Sequence, residues 1–79
     1  MLPTGRQLSA ARVLAGLDQK QLAKLAGLDP STVSRMEASD LAVARGHGRN
    51  IEAVLIALEK KGVTIAADGS IQQSGKPRR

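Results

Sequence analysis

Two short stretches of helical apolar spacing are joined by only three residues, Gly27, Leu28 and Asp29, and no other feature constrains the fold as tightly. A glycine in the left-handed conformation ends one helix, and so short a turn sends the next off at a steep angle. Before the turn, Asp18 caps a helix with Gln21 at its third position, and Leu22, Ala23, Leu25 and Ala26 recur at helical spacing up to Gly27. After it, Asp29 is placed to cap a helix over 30–38, and Pro30 takes the one helical position where a missing N–H costs nothing. Val33 and Met36 then fall three apart on one face. Ala23 and Val33 are small and β-branched, which lets the two helices cross closely with both facing a core. The spacing predicts a helix-turn-helix over residues 18–38.

The flanks extend this pattern. Thr4 and Gln7 have the spacing of a capping box, and Leu8, Ala11, Leu14 and Ala15 mark an apolar stripe before Gly16, which predicts a first helix over 5–15. A fourth helix, about 50–61, is opened by Asn50 or Gly48 and carries Ile51, Val54, Leu55 and Leu58 in the i, i+3, i+4, i+7 pattern, with Lys60 and Lys61 before Gly62. Between them, 39–49 is rich in Gly, Ala and Arg and reads as a loop with at most one helical turn near Leu41. Beyond Gly62, Val63, Thr64 and Ile65 alternate, Asp68 and Gly69 supply a turn and Ile71 follows, predicting a β-hairpin over about 63–72. The expected organisation is one mainly α domain over 1–73, followed by a basic flexible tail over 74–79 that contains Gly75 and Pro77.

The chain has 79 residues and no Phe, Tyr or Trp, so its core must be thin and aliphatic, and a second subunit would help to stabilise it. Ile56 and Ala57 lie partly off the helix-four stripe, and Val63 with Ile65 falls on a strand edge, so a homodimer through helix four and the C-terminal hairpin is expected. The absence of Cys and the presence of a single His, His47, exclude a disulfide scaffold, a zinc finger and the usual thiol or serine hydrolases. No catalytic residue, metal ligand, cofactor or small-molecule ligand is assigned, and Glu52 with Glu59 reads as a solvated face. No apolar run reaches the ~18 to 20 residues of a membrane span, and Met1–Gly5 lacks a leader's charged-then-apolar pattern, so a cytoplasmic location is expected.

A formal charge of +5 favours a polyanionic partner, because Lys and Arg that neutralise phosphates release condensed counterions. The outward residues of the third helix sharpen this. Ser31, Thr32, Ser34 and Arg35 are short hydrogen-bonding groups and one guanidinium, with no carboxylate among them. Such a face suits the major groove of double-stranded DNA, where Arg binds guanine O6 and N7 together and a Thr methyl touches thymine.

The run Gly16–Glu37, GLDQKQLAKLAGLDPSTVSRME, resembles the helix-turn-helix of the XRE family, whose best-known members are the lambdoid phage repressors and Cro. Leu17, Gln19, Leu22, Ala23, Gly27, Thr32, Val33, Ser34 and Glu37 carry the likeness, which reaches roughly residues 5–62 once helices one and four are added. The resemblance implies a four-to-five-helix lambda-repressor-like DNA-binding domain, here with a short C-terminal β-hairpin. It implies base reading by Ser31, Thr32 and Arg35, a phosphate anchor at Gln19, and a structural ion pair between Arg12 and Glu37. Pro30 departs from the pattern, standing where several relatives carry a polar reader. Arg45, His47 and Arg49, set among glycines, are candidate phosphate contacts, since similar family loops lie along the DNA backbone. The function implied is sequence-specific transcription regulation, as a repressor or autoregulator reading an inverted-repeat operator. The alternative is a protein-binding antiactivator or antitoxin on the same fold.

Overall fold

The computed structural model describes residues 3–39, 48–66 and 68–73. Among these, α1 is Gly5–Leu14, α2 Gln19–Ala26, α3 Pro30–Glu37 and α4 Gly48–Lys60, followed by strands β1, Val63–Ile65, and β2, Ile71–Gln73. The strands pair antiparallel, with Val63 opposite Gln73 and Ile65 opposite Ile71. Four helices with a C-terminal hairpin make a lambda-repressor-like fold. The helical turn considered near Leu41 and the tail 74–79 lie outside the described residues.

Local chemistry sets the helix starts. The Thr4 hydroxyl accepts from the Gln7 amide at 3.1 Å, and the Gln7 carboxamide oxygen accepts from the Thr4 amide at 2.8 Å. Asp18 and Gln21 exchange the same two bonds at 2.7 and 2.9 Å, so both boxes satisfy donors that a helix start leaves unpaired. The expected cap at Asp29 differs. Asp29 stands at the cap position, but its side chain accepts no capping bond; its ψ is 141°, against 165° and 176° at the boxed caps, and Thr32 at the third position cannot complete a box. Only the Asp29 carbonyl serves the start of α3, accepting from the amides of Thr32 at 2.9 Å and Val33 at 3.4 Å.

Gly27 closes α2 in the left-handed region at φ 72°, where its amide donates to the Lys24 carbonyl and that of Leu28 reaches back to Ala23 at 2.8 Å. This double closure turns the chain into α3 without a Cβ penalty.

The core is aliphatic throughout: Leu8 and Ala11 from α1, Leu22 and Ala23 from α2, Val33 and Met36 from α3, Ile51, Val54, Ala57 and Leu58 from α4, and Val63 from β1. Two groups expected to be spare for pairing between protomers are consumed here. Ala57 is 1% and Val63 0% exposed, because α4 packs on α2 and β1 lies across α4 and α1. Ile65 is half-buried against the same core, and Ile56 alone of that set projects outward. Conversely, Leu14 and Leu25, read as members of inward stripes, are exposed. At 3.6 residues per turn each lies roughly 90–110° off the inward line of its helix.

The hairpin is tied to α1 as well as packed on it, since the Gln7 carboxamide donates to the Gly69 carbonyl at 3.3 Å. In the turn, the Asp68 carboxylate accepts from the Ser70 amide at 3.0 Å and hydroxyl at 2.7 Å, which holds it below the usual carboxylate range.

Candidate nucleic-acid interface

The geometry of α3 follows from its two inward anchors. Val33 and Met36 are 1% and 0% exposed, so the opposite side of the helix presents Ser31, Ser34 and Arg35 outward, with Thr32 half-buried on the flank. Pro30 is exposed at the helix start and adds no polar group. No carboxylate stands in the first turn of α3. The exposed side therefore offers two hydroxyls and a guanidinium, groups that match base edges and phosphate oxygens.

Behind this face a polar brace joins three helices. The Arg12 guanidinium meets the Glu37 carboxylate bidentately, Nε to Oε2 at 2.8 Å and Nη2 to Oε1 at 3.1 Å. Arg12 Nη1 also donates to the Leu17 carbonyl at 2.9 Å, in the turn between α1 and α2. Glu37 Oε1 accepts a third bond, from Gln19 Nε2 at 3.1 Å. The side chains of Arg12 and Glu37 are 15% and 8% exposed, so the ions are largely withdrawn from water and depend on one another. The planar guanidinium fork fixes both distance and orientation between its neighbours. Close backbone approach adds to this at the other end of α1: a Cβ on Gly5 would come within 2.7 Å of the carbonyl oxygens of Met36 and Glu37.

The structure thus brings Arg12, Gln19 and Glu37 together and sets Ser31, Ser34 and Arg35 on the surface beside them. Gln19, expected on phosphate, has a partner inside the protein that its sequence position did not reveal, and one N–H of its carboxamide remains beyond the Glu37 bond. Next to it Lys20 is an exposed cation in the first turn of α2, and its place beside Gln19 at a helix start is the sequence signal for it. Arg49, expected in the loop over 39–49, is instead helical and exposed at the start of α4. Arg45 and His47 lie outside the described residues. Among the described residues no group of His, Cys, Asp or Glu could hold a metal ion, and no helix is long and apolar enough to cross a membrane.

Residues 8–42, which run from the first core leucine of α1 past the end of α3, match the family described as Helix-turn-helix. That matched segment is the XRE-family helix-turn-helix domain. This is a DNA-binding regulatory domain, not a catalytic one, and α4 with the hairpin extends it beyond the matched segment. No curated protein matches the chain. In the XRE-type domain α2 and α3 are the two motif helices, and the brace described above joins them to α1.

Proposed function

We propose that the chain is a sequence-specific regulator of transcription, a repressor or autoregulator, that reads an inverted-repeat operator by lodging α3 in the major groove. The observation that carries this reading is the division of α3: Val33 and Met36 are sealed into the core, while Ser31, Ser34 and Arg35 face outward without a carboxylate among them. In this reading Arg35 reads a base pair, Ser31, Thr32 and Ser34 add hydrogen bonds or methyl contact, and Gln19, Arg45, His47 and Arg49 meet phosphates. A homodimer through α4 and the hairpin would set two copies of α3 about 34 Å apart, matching half-sites about 10 bp apart.

Selection of bound fragments from random duplex DNA tests this directly. The expected result is an inverted repeat with that spacing, bound with a steep salt dependence. Arg35→Ala should relax preference at one base pair, weakening the selected site by about 1–3 kcal/mol while barely altering binding to random duplex. Equal loss on both would overturn the base-reading role, and failure to enrich any sequence would overturn operator recognition.

A further inference from the structure

Among the described residues, two shallow surface depressions lie away from α3, and they carry opposite charge. One, about 500 Å³, is lined by Leu17, Gln21, Lys24, Leu25 and Lys61, between the outer side of α2 and the end of α4. Leu25 in its lining is 42% exposed, and both charged groups are cationic. The other, about 320 Å³, lies between α4 and β1, where Ile56 is 48% exposed beside Leu55 and Ile65, and both charged groups, Glu52 and Glu59, are anionic. Among the described residues none of these four charges pairs with an opposite charge within the chain.

We infer that the acidic Ile56 face of one copy docks into the basic Leu25 groove of a second copy. Each surface offers a half-exposed aliphatic side chain flanked by two like charges, so joining them covers Leu25 and Ile56 together and sets each pair of lysines against a pair of glutamates. The contact rests on the pairing through α4 and the hairpin proposed as part of the function, and it specifies what α4 meets. Pairing the Ile56 face with itself is disfavoured, because Glu52 and Glu59 stand four residues before and three after Ile56. Any two-fold arrangement about Ile56 then brings carboxylates together, a like-charge juxtaposition that interfaces avoid. The basic segment 74–79, with Lys76, Arg78 and Arg79, has the wrong charge to fill the groove itself. DNA offers phosphates to Lys24 and Lys61 but no apolar surface to cover Leu17 and Leu25. No groove residue belongs to α3, so docking leaves the recognition face clear.

Charge reversal on each side tests this, with association of the full chain followed by analytical ultracentrifugation using interference optics, since the protein has no aromatic chromophore. Lys24→Glu with Lys61→Glu gives a chain whose groove and face are both acidic, and Glu52→Lys with Glu59→Lys gives one in which both are basic. All four positions are exposed, so both variants should keep the wild-type helical circular dichroism. Each variant alone should associate at least about tenfold more weakly than wild type, and their equimolar mixture should recover association within about threefold, because both contacts become complementary again. Wild-type association by the Lys24→Glu, Lys61→Glu chain would show that the face pairs with itself, overturning the groove while keeping the dimer. A wild-type chain that stays monomeric overturns both. Loss of DNA affinity in the lysine variant with unchanged association would assign the groove to phosphate and overturn the contact. Binding to a single operator half-site, measured separately, reports on α3 alone and keeps failure of docking distinct from failure of DNA recognition.

Discussion

Glu37→Ala is the most informative single perturbation of this domain. The substitution removes an 8%-exposed carboxylate that accepts three hydrogen bonds, two from Arg12 and one from Gln19, and leaves a guanidinium that is only 15% exposed. Breaking a buried pair from one side costs about 3–5 kcal/mol, and the residual exposure of Arg12 places this case near the lower figure, about 3. A domain of this size has roughly 4–12 kcal/mol of total stability, so the loss is a large share of the whole. At about 4–8 °C per kcal/mol, melting should fall by about 12–24 °C. Urea and thermal unfolding followed by far-ultraviolet circular dichroism measure it, with an unchanged urea slope showing that the unfolded chain is comparable. Arg12→Met combined with Glu37→Leu removes both ions, and its loss should fall short of the summed losses of Arg12→Met alone and Glu37→Leu alone by about 2 kcal/mol. A loss below about 1 kcal/mol for Glu37→Ala, or additive effects in the double variant, would refute the coupling read from the bidentate geometry.

The helix caps give a paired test: Asp18→Ala should cost about 1 kcal/mol in urea unfolding because it opens a formed capping box, whereas Asp29→Ala should stay within about 0.5 kcal/mol because its carboxylate caps nothing. Two glycines should fail for different reasons. Gly27→Ala meets no atom within 4 Å but must hold φ 72°, costing about 1–2 kcal/mol with amide shift changes confined to the turn. Gly5→Ala has no dihedral problem yet drives a methyl into the Met36 and Glu37 carbonyls, so its amide shift changes should extend along the end of α3. Arg12→Lys keeps the charge but loses the fork, so it should lower stability and weaken operator and random duplex by the same factor, unlike Arg35→Ala.

What the sequence made legible is what neighbouring residues decide among themselves. The Thr4–Gln7 and Asp18–Gln21 boxes and the Gly27 closure each involve residues within about five positions, so spacing alone specifies them. The outward side of α3 follows by subtraction once Val33 and Met36 point inward. Destinations that depend on a distant element were not legible. Ala57 and Val63 carry no mark of whether their cover comes from another protomer or from the chain's own α2 and α1, and the packing of α4 and β1 decides it. Gln19 is similar, since a carboxamide at a helix start serves a phosphate or a carboxylate equally well until Glu37 is brought within 3.1 Å. At Asp29 the pattern promised more than the backbone delivers, because cap composition does not set ψ.

Of the described helices, α3 is the one least able to stand by itself. At eight residues α3 is below the length at which an isolated helix persists in water, and its first turn lacks a side-chain cap. Its order is supplied from outside: by two buried side chains worth about 1.5–3 kcal/mol each, by the Gly27 closure before it, and by the Glu37 brace at its last residue. DNA binding is coupled to that support. If a fraction of molecules loses the orientation of α3, apparent affinity falls by that fraction on every sequence alike, because the ordering free energy is the same whatever base pairs follow. Groups on the outward side would act differently under the proposed function, altering affinity only where a particular base edge is present. Under the proposed function these six residues divide by consequence: changes at Arg12, Gln19 and Glu37 would shift affinity on every sequence alike, and changes at Ser31, Ser34 and Arg35 would alter which DNA is preferred.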